Sequence, residues 1–122
     1  MAIDISNLPP QLQNQLGQFQ QMQQQLQMVI QQRTQVELRL RDIDKALEEL
    51  KKLKGETAIY KSVGSLLVKS PDKKSIEKEL TENKETLEIR KKSLEEQEGR
   101  LKEKTQELQS KIQNALSLSK AG

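Results

Sequence analysis

The chain has 122 residues, of which 33% are apolar, and 21 Lys and Arg stand against 18 Asp and Glu for a net charge of +3, whereas an ordinary globular domain is roughly 45–50% apolar. With no Cys, His or Trp, and with one Phe (Phe19) and one Tyr (Tyr60), the composition excludes zinc fingers, thiolate nucleophiles, disulfide frames and Ser-His-Asp triads. Leu, Ile, Val and Phe still supply 31 residues, so low hydrophobicity does not force disorder. No apolar run approaches the roughly 18 residues that span a bilayer. The N-terminus lacks the basic-then-apolar pattern of a secretory signal. The expectation is a soluble, cytoplasmic chain able to bury a narrow stripe rather than a globular core, with neither membrane nor nucleic-acid partner.

In chain order, Pro9 and Pro10 can open a helix, because a first-turn residue needs no amide donor. The helix expected over about 9–53 carries a seam of Leu12, Leu16, Phe19, Met22, Leu26, Val29, Arg33, Val36, Leu40, Ile43, Leu47 and Leu50. Its steps alternate three and four, apart from one doubled three at Phe19–Met22, which is coiled-coil spacing with one local overwinding. Gly55 suits the end of this helix, with Lys51, Lys52 and Lys54 near the negative end of its dipole.

The segment over about 57–70 differs in kind. Ala58-Ile-Tyr-Lys-Ser-Val-Gly-Ser-Leu-Leu-Val-Lys69 reads as a β-hairpin turning near Gly64. Alone it would be marginal in water and would expose free strand edges, so oligomerisation through Ile59, Tyr60, Val63, Gly64, Leu66, Leu67 and Val68 is expected. Ser70-Pro71-Asp72 reads as N-cap, first helical residue and first-turn acid of a second helix over about 71–117. That helix repeats every seven residues through Leu80, Leu87, Leu94, Leu101, Leu108 and Ala115, with Ile76, Ile89 and Ile112 as apolar companions. Tails at 1–8 and 118–122 are expected to be flexible.

If Leu47 faces Leu80, antiparallel pairing places Leu40 against Leu87, Leu26 against Leu101, Phe19 against Leu108 and Leu12 against Ala115. Arg33 then falls opposite Leu94 and must either snorkel its head outward or find a carboxylate. The expected fold is mainly α, an antiparallel coiled-coil hairpin about 65 Å long at 1.5 Å per residue, with the β-hairpin between its helices.

Charge is distributed unevenly. Residues 1–32 hold one charged side chain, Asp4, and residues 112–122 hold one, Lys120, while 13 glutamines lie between Gln11 and Gln35. In the antiparallel pairing these stretches meet at the end away from the β-segment. An almost uncharged tip that carries Ile3, Ile5, Leu8, Leu12, Leu16, Phe19, Leu108, Ile112, Leu116 and Leu118 suits capture of exposed apolar segments of other proteins. Leu12, Leu16, Phe19 and Leu108 equally suit zipping the helices together; Ile3, Ile5 and Leu118 lie outside the expected helices and favour capture. Gly17 and Gly99 should loosen this half, each costing roughly 1 kcal/mol against Ala.

Other chemical motifs are weak. Gly64-Ser-Leu-Leu-Val-Lys69-Ser70 lacks the second glycine of a phosphate loop. Asp42 with Asp44, and Glu95, Glu96 and Glu98, read as solvated helix faces, and Arg90-Lys91-Lys92 is followed at once by acids. No enzyme, metal site or cofactor is expected.

Helices of equal length around Ala58–Lys69, with Leu8-Pro-Pro-Gln-Leu-Gln-Asn-Gln-Leu-Gly-Gln-Phe19 and Met28-Val-Ile-Gln-Gln-Arg33, resemble β-type subunits of the archaeal prefoldin family over roughly residues 7–117. The resemblance implies an assembly of two α-type and four β-type subunits whose hairpins pair into a β-barrel platform. It also implies an ATP-independent holdase that grips unfolded proteins with distal tips and delivers them to a group II chaperonin. An α-type subunit would carry a second hairpin, for which the linker has no room. The competing reading is a purely structural coiled-coil scaffold.

Overall fold

The structure, a computed structural model, describes residues 8–54, 58–69 and 72–121. It contains helix α1 (Pro10–Lys52), strands β1 (Tyr60–Val63) and β2 (Leu66–Lys69), and helix α2 (Lys73–Ala121). Gly55, Ser70 and Pro71, expected at helix boundaries, lie outside the described residues. Two compact units divide the chain. A terminal unit comprises Met1–Arg33 with Leu94–Gly122, and a hairpin unit comprises Thr34–Ser93.

α1 starts where the prolines place it. Pro10 is its first residue, the carbonyl of Pro9 accepts the Gln13 amide at 3.0 Å, and the Gln13 side chain donates to the Leu8 carbonyl at 2.8 Å. Every seam position from Leu12 to Leu50 is buried or half-buried, and the positions between are mostly exposed. Lys51 and Lys52 occupy the last turn, where cations favour the dipole. From the start of α2, Lys73 Nζ donates to the Leu53 carbonyl at 3.4 Å.

The N-cap of α2 corrects the sequence expectation. Asp72, placed there as a first-turn acid, instead caps the helix, its Oδ1 accepting the Ser75 amide at 2.6 Å, and Lys73 is the first helical residue. The Ser75 backbone N–H, then its hydroxyl, holds the Asp72 carboxyl below its ordinary value. At the other end α2 runs to Ala121, beyond the expected stop near 117, so most of the expected 118–122 tail is helical. Residues 117–121 contain no helix breaker before Gly122.

The α2 seam follows the heptad leucines, but its companions are Lys84, Lys91, Glu98, Thr105 and Ile112, all buried or half-buried. Ile76 is half-buried and Ile112 buried, as expected. Ile89 is not on the seam; it is 73% exposed, because two residues beyond Leu87 is roughly 200° around the helix. The Thr105 hydroxyl donates to the Leu101 carbonyl at 2.6 Å, which satisfies a polar group at a half-buried position. Gly17 and Gly99 face open space, so no close approach requires them.

In the hairpin unit β1 and β2 pair antiparallel, Val63 opposite Leu66 and Tyr60 opposite Lys69. The connection is the two-residue turn Gly64-Ser65. Gly64 has φ +59° and no other described residue has positive φ, which is the glycine-first turn whose twist suits a hairpin. Lys61 on β1 forms an ion pair with Glu79 on α2. Lys84 Nζ lies 2.8 Å from Asp44 Oδ1, and that hydrogen bond raises the Lys84 pKa above its ordinary value.

In the terminal unit Arg33 takes the second of its two options. Its Nε lies 2.8 Å from Glu98 Oε2 as an ion-pair contact, and the aligned hydrogen bond is the one from Nη2 to Oε1 at 3.3 Å. Lys102 Nζ adds a contact to Glu98 Oε1 at 3.4 Å. Glu98 is therefore no solvated face residue; it is 8% exposed. Replacing Arg33 with Leu leaves this carboxylate only its longer Lys102 contact and should lower stability by about 2–3 kcal/mol, less than for a fully buried pair because the guanidinium keeps some water. The double replacement Arg33→Leu with Glu98→Leu should recover that loss, as read from urea unfolding midpoints.

Candidate functional site

Two sets of residues were singled out by sequence, and the structure places them in different units. In the terminal unit, Leu12, Leu108 and Ile112 form a buried cluster, with Leu8, Leu16, Phe19, Met22, Ala115 and Leu116 packed around it and partly exposed. Seven of the ten capture candidates are thus committed to packing or to its edge: Leu8 just before α1, Leu12, Leu16 and Phe19 on α1, and Leu108, Ile112 and Leu116 on α2. The expected partners Phe19 and Leu108, and Leu12 and Ala115, are all members of this one cluster or packed against it.

Leu118 stands apart: it is 74% exposed although it lies within α2. Ile3 and Ile5 lie outside the described residues. The cluster is small, and its outer members each present part of an apolar surface to water. Around them, residues 8–32 and 112–119 contain no charged side chain, so nothing ionic opposes the approach of an apolar guest. A residue the sequence reading did not place in the site is Met28, 60% exposed on α1. Its signal was its place one residue before the seam Val29, where the heptad pattern calls for a polar side chain.

In the hairpin unit, all eight residues of β1 and β2 are exposed, including Tyr60, Val63, Leu66, Leu67 and Val68. Leu67 reaches 73% exposure. Ile59 differs from its fellow candidates, because it precedes β1 and is half-buried. It lines a cavity of about 390 Å³ with Leu50, Leu53, Tyr60, Ile76 and Leu80. An exposed two-stranded ribbon with free edges over an unfilled apolar cavity is a surface suited to covering by further strands. Gly64 serves the turn and leaves the ribbon's faces to its neighbours.

Among the described residues no group of His, Cys, Asp and Glu could hold a metal ion. The ionic contacts at Arg33–Glu98, Asp44–Lys84 and Lys61–Glu79 are structural pairs between elements. No helix is long and apolar enough to cross a membrane, among the described residues.

Comparison with known proteins gives a consistent picture. Residues 13–118 match the prefoldin subunit family. The prefoldin subunit beta of Archaeoglobus fulgidus is 57% identical over 113 residues, covering 93% of this chain and 97% of the relative. That of Pyrococcus furiosus is 48% identical over 118 residues, covering 97% and 100%. Among solved structures, the prefoldin beta subunit from Thermococcus strain KS-1 superposes with a TM-score of 0.78 at 48% identity, covering 90% of this chain and 96% of that one. The beta2 subunit of the same strain shares the fold, with a TM-score of 0.68 at 21% identity.

Packing and exposure separate two kinds of apolar residue in the terminal unit. Leu108→Ala should lower stability by about 2–3 kcal/mol, since it removes buried methyl groups and leaves a void in a small cluster. Leu118→Ser should stay within about 0.5 kcal/mol of the parent, as for other exposed positions. Thermal unfolding of the two variants checks the division.

Proposed function

Because the chain belongs to the prefoldin family of chaperone subunits, as a β-type member, we propose that it works as an ATP-independent holdase, gripping non-native proteins with the apolar side chains of its terminal unit. Prefoldin beta subunits form hetero-oligomers with other prefoldin subunits. The reading here is more specific: two α-type and four β-type subunits, joined through the β-hairpins, in the cytoplasm.

The observation that supports capture most directly is the partly exposed apolar rim of the Leu12–Leu108–Ile112 cluster, together with exposed Leu118, on a stretch almost without charge. A guest that buries such a surface gains about 25 cal/mol for each Å² of apolar area removed from water. One rim is small, so each grip is weak, and several subunits holding one chain raise the effective affinity without any new contact. With no chemical step, release follows when a competitor takes the client, and the competitor proposed is a group II chaperonin. Ile3 and Ile5 belong to the same capture set in this reading.

The hairpin is the proposed means of assembly. β1 and β2 hold their own register through the Gly64-Ser65 turn, yet bury none of their side chains. Strands from neighbouring subunits would satisfy the free edges and cover Leu66, Leu67 and Val68.

Removal of residues 1–16 and 108–122 should leave the number of subunits in the assembly unchanged and abolish suppression of client aggregation, followed by light scattering on an unrelated unfolded protein. Undiminished suppression in an intact assembly would overturn capture by the terminal unit and leave a structural scaffold. Leu67→Asp with Val68→Asp should give smaller species on sizing, with helical content unaltered by circular dichroism; an unchanged mass would sink assembly through the hairpin.

A further inference from the structure

The terminal unit holds a second apolar feature, separate from the Leu12–Leu108–Ile112 cluster. A groove of about 380 Å³ runs between α1 and α2, floored by Met28, Val29 and Leu101. Its α1 wall is made of amides, Gln25 and Gln32, and its α2 wall carries Arg100 and Lys104. No carboxylate lines it. Since an apolar site of roughly 150 Å³ takes a benzene ring, the groove has room for at least one large side chain.

What sets these two cations apart is their place beside an apolar floor with no carboxylate in the lining; many other exposed Lys and Arg side chains of this protein also lack an ion pair among the described residues. Lys61, Lys84, Arg33 and Lys102 all place their heads on carboxylates. Arg100 and Lys104 make no ion pair among the described residues, although Glu96 and Glu103 stand close to them in sequence. Met28 is likewise without cover at 60% exposure, and a thioether adapts its shape to varied apolar partners. A soft apolar floor beside two unpaired cations, facing a neutral wall, complements a ligand that is apolar and anionic together.

We propose that this groove is a charge-selective seat for acidic, apolar-anchored segments of non-native polypeptides. A large apolar side chain lies on Met28 and Leu101, and a carboxylate within a turn of it reaches Arg100 or Lys104. The proposal rests on the reading that the terminal unit takes up unfolded chains, and adds a preference to it: the apolar rim takes any greasy segment, whereas the groove takes acidic ones.

The test uses the full-length chain and three labelled peptides of about a dozen residues, followed by fluorescence anisotropy. One carries leucines with two glutamates, one has lysines in place of the glutamates, and one has serines in place of the leucines. The acidic leucine peptide should bind about fivefold tighter than its lysine counterpart, the range of an exposed ion pair, and the serine peptide should bind weakest. Arg100→Glu with Lys104→Glu should invert the order of the first two. Met28→Gln, at an exposed position where folding is not at risk, should weaken both leucine peptides, and Met28→Leu should restore them. Leu118→Ser should leave the order intact.

Equal binding of the acidic and lysine peptides, or indifference to Met28→Gln, would overturn the seat. So would a change of oligomeric mass on Met28→Gln, which would make the groove an interface between copies. If these occur while the chain still suppresses aggregation, the groove alone fails. If suppression is absent while the peptide order persists, the holdase reading fails and the groove remains a peptide site.

Discussion

Each long helix in this protein has only one stripe to bury, and that constraint governs the rest. An isolated helix gains little from propensity alone, so α1 and α2 persist because Leu and Val side chains at three- and four-residue steps remove each other from water. A stripe of that width cannot supply a globular interior. The consequence is visible in every unit: few residues are fully enclosed, and the apolar groups outside the stripe face water on the β-ribbon and on the rim of the terminal cluster. The apolar surface left over is what the proposed subunit and client contacts would cover.

Polar groups within the stripe refine the same design. Arg33 and Glu98 sit where two apolar side chains would pack more favourably, since a buried pair rarely outweighs the desolvation of its members. What the pair contributes is discrimination. A leucine zipper tolerates slippage by a heptad, because one Leu resembles the next. A charge that must meet its opposite does not, so the pair penalises pairings of α1 with α2 in the terminal unit that would separate it.

Much of this was legible in the residues. The α1 seam was readable to its last member because three- and four-residue steps have no strand alternative over such a length, and the turn at Gly64 followed from a glycine between two β-branched runs. That Arg33 must either snorkel outward or find a carboxylate was also readable. Its identity was less so: Glu95, Glu96 and Glu98 have one chemistry and differ only in helical phase, and only Glu98 shares the stripe with Leu94 and Leu101. Ile89 misled in the opposite way, because hydrophobicity suggested burial where phase denied it. Asp72 reads equally well as a first-turn acid, because Ser70 and Pro71 offer an equally good cap two residues earlier. Met28 carries little signal of its own, because its neighbour Val29 already fills the seam position.

The glutamine-rich wall of α1 carries a consequence for the conditions under which the terminal unit can work. Attraction between opposite charges weakens as salt shortens the Debye length, from about 10 Å at 0.1 M to about 3 Å at 1 M. Amides have no net charge to screen, and burial of apolar surface is strengthened rather than weakened by excluded salts. A surface of leucine, phenylalanine and glutamine would therefore keep the apolar contacts proposed for it in a concentrated electrolyte, where contacts dependent on ion pairs would weaken. The composition of residues 11–35 makes this part of the protein tolerant of the ionic strength of its surroundings.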